Sequence, residues 1–144
     1  MYAAGPARSR VLLAEQGHVV TGVDLSPRML EAAQDKAVRH STDVTFVLGD
    51  ASEPPVAGPF DVVLARHVVW ALPDRSGALD RWAALLAASH GRLVLIEGLR
   101  GNGAGISETA LHALVQPKVD RGLKFDTCRR RHCGVARSAM RGTS

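Results

Sequence analysis

Aromatic residues are scarce in this chain of 144 residues: Phe, Trp and Tyr together make up 4%. A core must then be assembled from Val, Leu and Ala, within an apolar content of 46% that is ordinary for a globular domain. Cysteine is nearly absent. The two that occur, Cys128 and Cys133, both come late, which excludes a disulfide-stapled scaffold and makes a reduced, cytoplasmic setting the expectation. No apolar run approaches the roughly 20 residues that a membrane-spanning helix needs. The start lacks a charged segment followed by a long apolar one, so no signal peptide is expected. What the length does allow is one domain with a real core.

A net positive charge is also missing from most of the chain, although the formal charge of the whole is +4. Residues 118–144 hold eight Lys/Arg against Asp120 and Asp126, a net +6. The first 117 residues, with ten Lys/Arg and twelve acids, are at −2. The basic character belongs to the end of the chain. A basic segment can grip phosphate backbones by counterion release. No aromatics interleave with these arginines, so the plainer expectation is a disordered charged tail and nucleic acid is not the expected partner. The division is thus a domain over 1–117 and a tail over 118–144.

The stretch Val19-Val20-Thr21-Gly22-Val23-Asp24-Leu25-Ser26-Pro27 organises the rest. Its first five residues read as a short buried strand. Asp24 stands where that strand ends, Ser26 offers an N-cap, and Pro27 fits the first helical position. Met29, Leu30, Ala33 and Ala37 continue at helical spacing to about Arg39. In open parallel sheets, ligands bind beyond the carboxyl ends of the strands. A carboxylate at that edge can accept hydrogen bonds from both hydroxyls of a ribose. The alternative is an acid that merely caps the turn.

Around this unit, residues 8–16 predict a helix stopped by Gly17. Val44–Leu48, Asp61–Ala65 and Arg92–Glu97 predict further strands. Residues 51–59, with three prolines and a glycine, predict a connection, and 68–72 a short helix or turn halted by Pro73-Asp74. Residues 76–88 predict a helix with Leu79, Trp82, Leu85 and Leu86 on one face. Gly98 to Gly105 predicts a loop. Ser107 then caps a helix through Val115, ended by Pro117. Nearly all-apolar strands alternating with helices predict an α/β fold with a parallel sheet covered on both faces.

From Gly5 to about Gly105 the chain resembles the class I S-adenosylmethionine-dependent methyltransferases. The resemblance rests on Val-Thr-Gly-Val-Asp-Leu-Ser-Pro-Arg-Met-Leu, on Gly49-Asp50-Ala51, on Phe60-Asp-Val-Val-Leu-Ala-Arg-His-Val-Val-Trp-Ala-Leu-Pro-Asp74, and on Gly91-Arg-Leu-Val-Leu-Ile-Glu-Gly98, in that order. It implies S-adenosylmethionine as cofactor and an incomplete Rossmann-like, doubly wound sheet. It also implies roles: Asp24 for the ribose hydroxyls, Leu25 beside the adenine, Asp50 facing the adenine amino group, and Ala51 offering its backbone N–H to the ring. Gly5 matches a glycine of the loop at the methionine end. Arg66 and His67 stand where the family contacts the methionyl part and often the substrate.

The sulfonium carries its own leaving group, so such a site mainly aligns a nucleophile with the methyl carbon. His67 is the candidate general base where the nucleophile must lose a proton, with a structural histidine as the alternative. For Asp50 the alternative is a turn acid, and for Arg66 a solvated charge or a backbone contact alone. Trp70 and Trp82 read as packing residues. The expected acceptor is a small molecule.

The family opens on a strand running into a loop near Asp-x-Gly-x-Gly-x-Gly. Here Met1 falls where that strand should finish, Ala3 and Ala7 stand at two glycine positions, and Pro6 removes an N–H. The first strand is therefore expected to be missing, and the later strands of the sheet are not recognisable after Pro117. Two alternatives follow: a non-catalytic remnant with a basic tail, and an NAD-type oxidoreductase that also uses Asp24 on a ribose. Gly101-Asn-Gly103-Ala-Gly105 lacks the spacing of a dinucleotide loop. Cys128, His132 and Cys133 form too small a cluster for a metal site, so no metal is expected.

Overall fold

A computed structural model describes residues 1–3, 7–99, 101–119, 123–130 and 133–140, with side chains for Met1, 9–99 and 101–119. In chain order the elements are β1 (Tyr2–Ala3), α1 (Ala7–Glu15), β2 (Val20–Asp24), α2 (Pro27–Arg39), β3 (Val44–Leu48), β4 (Val62–Arg66), α3 (Arg75–Ala84), β5 (Arg92–Glu97), α4 (Glu108–Val119), β6 (Leu123–Arg130) and β7 (Cys133–Met140), with a 3₁₀ turn at Val69–Ala71. The sheet order is β3-β2-β1-β4-β5-β7-β6. Strands β1 to β5 are parallel and β7 runs antiparallel between β5 and β6.

Local chemistry explains most element ends. Gly17, at φ +87°, closes α1 in the left-handed region, its N–H donating to Ala14 and that of His18 to Leu13. The Ser26 hydroxyl accepts from the Met29 N–H at 3.3 Å, and Pro27 opens α2. Asp74, expected only to halt the preceding turn, instead caps α3 by accepting from the Gly77 N–H at 2.9 Å. Ser107 caps α4 through the Ala110 N–H at 3.1 Å.

The two faces of β4 and β5 differ. Val63, Ala65, Leu93 and Leu95 are buried in one cluster with Leu79, Trp82 and Leu86 of the α3 segment. Leu64 and Ile96, on the alternate face, are half-buried beside Leu12 and Leu13 of α1. Helices α1 and α2 pack together on that face.

Three expectations need correction. The first strand is not missing. It is a two-residue stub, Tyr2 and Ala3 lying parallel between Gly22–Val23 of β2 and Leu64–Ala65 of β4. Met1 extends it, its carbonyl accepting from the Leu64 N–H at 2.9 Å and its amine donating to the Val62 carbonyl at 2.8 Å. The stub satisfies inner-edge backbone groups of β2 and β4 that would otherwise be orphaned.

Second, Pro117 does not end α4, which continues to Val119. Lys118 is buried there, and its ammonium donates to Ser76 Oγ and Asp80 Oδ2 of α3, which holds the last turn in helical form. Third, residues 118–144 are not a featureless tail where they are described. Besides the end of α4 they form β6 and β7, and β7 pairs along all of β5 from Arg92 to Glu97. Backbone ladders are blind to side-chain charge, so an arginine-rich composition hid strands that complete the sheet edge.

Candidate site at the carboxyl edge of the sheet

The strand order reverses between β1 and β4, which makes the crevice beyond their carboxyl ends the switch point of the fold. Asp24 ends β2, opposite Leu48 of β3, and the Gly49 N–H donates to the Asp24 carbonyl at 3.0 Å. Asp50 follows directly after that bond, two residues beyond the end of β3. On the other side, Ala3 is level with both Val23 and Ala65, so Asp24 and Arg66 each lie one residue beyond it. Two strand spacings separate their backbones, about 10 Å. Arg66 is in turn opposite Ile96, with Glu97 next. The topology thus brings Asp24, Asp50, Arg66 and His67 to one edge. Gly5 lies outside the described residues.

Asp24 is already held from two sides. Its Oδ2 accepts from the Arg10 guanidinium at 2.9 Å and its Oδ1 from the Ser26 N–H at 3.2 Å. The second contact is the local turn that the plainer reading foresaw. The first comes from α1 and was not foreseen. Arg10 is fully buried, and its stem lies on Gly22, where a Cβ would stand 2.8 Å from Arg10 Cδ. A glycine in a strand interior was the available signal, since it marks close approach by another group. Leu25, next to Asp24, presents an apolar side chain that is 67% exposed.

The segment after β3 is also braced. Asp50 is exposed, and its Oδ1 accepts from the Ser52 N–H at 2.8 Å. The Asp50 carbonyl accepts from the Glu53 N–H, which orients the peptide carrying the Ala51 N–H. Trp82 packs in the core as expected, but its Nε1 also donates to the Ala51 carbonyl at 2.7 Å. Gly49 is required by Pro55, whose ring atoms would lie 2.5 Å from a Cβ there.

The segment after β4 contains the strain of the site. His67 adopts φ +52°, in the left-handed region that residues other than glycine seldom occupy, His entering it more often than most along with Asn and Asp. Its N–H donates to the Ile96 carbonyl at 2.8 Å, and its carbonyl accepts from Trp70 Nε1 at 3.1 Å. Glu97, buried at 3% exposure, takes the Val68 and Val69 N–H groups on Oε1 at 2.9 and 2.8 Å. Glu97 thus anchors the turn that presents His67. Sequence reasoning treated it as the last residue of a strand. An acid at the end of an otherwise apolar run was the only hint.

Arg66 turns away from the other three. Its guanidinium donates to Ser9 Oγ at 3.2 Å and lines, with Leu12, Leu13, Leu64 and Ile96, a cavity of about 220 Å³ under α1. Its Nε is buried with no hydrogen-bond partner among the described residues. The described residues contain no group of three or more His, Cys, Asp or Glu able to hold a metal. Cys128, His132 and Cys133 lie outside the residues whose side chains are described. Among the described residues no helix is long and apolar enough to cross a membrane.

Comparison with known proteins bears on the family and the fold. The chain is 38% identical over 74 residues to aklanonic acid methyltransferase DauC of Streptomyces sp. (strain C5), covering 50% of this chain and 33% of that protein. It is 38% identical over 80 residues to the 27-O-demethylrifamycin SV methyltransferase of Amycolatopsis mediterranei, covering 54% and 29%. It therefore spans about a third of the length of these curated relatives. Among solved structures, magnesium protoporphyrin IX methyltransferase of Synechocystis PCC 6803 with bound S-adenosylmethionine superposes with a TM-score of 0.73 at 23% identity, over 98% of this chain and 68% of that one. That likeness shows a shared Rossmann-like fold. The family model for a methyltransferase domain matches residues 2–95, well over half of the chain, and the chain belongs to that family.

Proposed function

We propose that the chain binds S-adenosylmethionine at the carboxyl edge of β2, β3 and β4 and transfers its methyl group to a small-molecule acceptor. The observation that carries this reading is the alignment of Asp24, Asp50 and the Arg66–His67 segment across the switch point. The residues present fit the cofactor chemically. Asp24 is a carboxylate fixed at a strand tip, each oxygen retaining acceptor capacity for a vicinal diol. Leu25 supplies an exposed apolar flank for the adenine. Asp50 is an exposed acceptor suited to the adenine amino group, and the Ala51 N–H is held by the turn around it. Gly5 is assigned to the methionyl end, and so is Arg66 through its backbone at the tip of β4, since its guanidinium lies under α1.

When bound, the cofactor supplies an electrophilic methyl carbon with a sulfur leaving group. The chain's own contribution is orientation and exclusion of water. His67, on its strained and braced turn, is assigned as the base that takes a proton from the acceptor. The relatives are named for action on aklanonic acid and 27-O-demethylrifamycin SV, which supports a small-molecule acceptor here. We assign the protein to the cytoplasm on its cysteine content and its lack of an apolar span among the described residues. Family membership disfavours the oxidoreductase alternative.

Titration calorimetry of the 1–144 chain with S-adenosylmethionine, S-adenosylhomocysteine and NAD tests the reading. Binding of the first two and not of NAD is expected. Asp24→Ala should weaken binding by about tenfold or more, the worth of hydrogen bonds to a charged group. Equal affinity in that variant would refute the ribose assignment.

A further inference from the structure

The structure assigns to Arg10 a role that the methyltransferase reading by itself does not contain: it is the positioning residue for the nucleoside-binding carboxylate. This inference rests on the assignment of Asp24 to the ribose. Arg10 is on α1, not on the sheet edge, and its side chain is entirely shielded from solvent. Burying a guanidinium is costly unless it is paired, and its pair is with Asp24, whose side chain is only 13% exposed.

Three features make the contact a built one. Gly22 removes the Cβ that would block the stem, because a methyl there would stand 2.8 Å from Cδ and 3.1 Å from Nε. The contact links two elements 14 residues apart in the chain. The Ser26 N–H occupies the other carboxylate oxygen at 3.2 Å, so the plane of the carboxylate is set by donors on both oxygens. Asp24 is thus preorganised by a guanidinium from behind and a peptide from the side. A vicinal diol then meets an acceptor whose rotamer needs no reordering, which is how fixed geometry raises affinity.

A merely structural arginine would lower stability without coupling to the ligand. A double-mutant cycle separates the two. S-adenosylhomocysteine affinity is measured by calorimetry for the parent chain, Arg10→Met, Asp24→Asn and the double variant, with a thermal melt on each. Arg10→Met should weaken binding by about tenfold to a hundredfold, the cost of a misplaced group. In the Asp24→Asn background the same change should alter affinity less than about twofold, since independent sites add and coupled ones do not. Arg10→Lys, which keeps a charge but loses the fork, should fall between.

If Arg10→Met fails to fold, Gly22→Ala performs the same test by forcing the guanidinium off its seat. An Arg10→Met or Gly22→Ala chain that binds within twofold of the parent overturns the inference, as does an equal loss in both Asp24 backgrounds. A parent chain that binds no S-adenosylhomocysteine instead refutes the cofactor reading itself, and the positioning role with it.

Discussion

Removing the Glu97 carboxylate should loosen the turn that carries His67 and leave the rest of the sheet intact. Glu97 is 3% exposed, and its Oε1 receives two backbone N–H groups, from Val68 and from Val69. Val69 is fully buried, whereas Val68 is half-buried. In Glu97→Ala the Val69 N–H has no access to water and the Val68 N–H has some. Hydrogen bonds to a charged group are worth about 1.5–3 kcal/mol each, so partial rescue at Val68 sets the total loss near 2–4 kcal/mol. For a domain of this size that is a fall in melting temperature of roughly 6–15 °C. Glu97→Gln keeps an acceptor oxygen and loses only the charge assistance, about 1–2 kcal/mol.

The assay is a thermal melt followed by circular dichroism, paired with amide hydrogen exchange. Exchange should accelerate at Val68 and Val69 first, and remain slow at Val63, Ala65, Leu93 and Leu95 in the same variant. A loss below about 0.5 kcal/mol in Glu97→Ala, the size of an ordinary surface change, with unchanged exchange at Val68 and Val69, would refute the anchoring role.

Other perturbations follow from the same geometry. His67→Asn keeps a residue tolerant of the left-handed region, so its melting temperature should stay within a few degrees of the parent, consistent with a change of about 1 kcal/mol or less. Its cofactor affinity should also be retained while methyl transfer falls by about a hundredfold or more, the range of general-base catalysis. Trp82→Phe fills the core position but deletes the donor to the Ala51 carbonyl; a melt should report a loss of about 1–2 kcal/mol, and calorimetry a weaker nucleoside site. The Met1 amine is lowered from 8.0 to about 6 by burial, partly offset by the nearby Asp61 carboxylate. In a chain made as residues 1–144, the unfolded state then binds more protons than the folded state between about pH 6 and 8. Stability should rise through that window and be lowest below pH 6. The full shift corresponds to at most about 2.7 kcal/mol, lost below pH 6. Denaturant titrations of free and N-acetylated chains should differ below pH 6 and converge above pH 8.

Local signals carried much of the fold. Ser26 and Pro27 announced the start of α2, Gly17 the end of α1, and the apolar runs at 19–23, 44–48 and 92–97 the parallel strands, the first of which is observed one residue later at Val20–Asp24, because caps and periodicity act within a few residues. Those signals also placed Asp24, Asp50, Arg66 and His67 near strand tips, the position at which parallel sheets bind ligands. They failed where a distant partner decides. Pro117 stays helical because Lys118 reaches α3, and the arginine-rich residues after 123 become strands because β5 offers an unpaired edge.

By itself, then, the amino-acid order determined an alternating α/β chain with acids at strand ends and a family signature over most of its length. Only the tertiary structure decided that a two-residue stub suffices to bridge β2 and β4, and that Arg66 turns under α1 rather than toward the edge. It also decided that Arg10 and Glu97 brace the two ends of the candidate site. The physical reason is separation along the chain. Arg10 and Asp24 are 14 residues apart, and Glu97 and Val68 are 29, so their contacts depend on packing that no local pattern encodes.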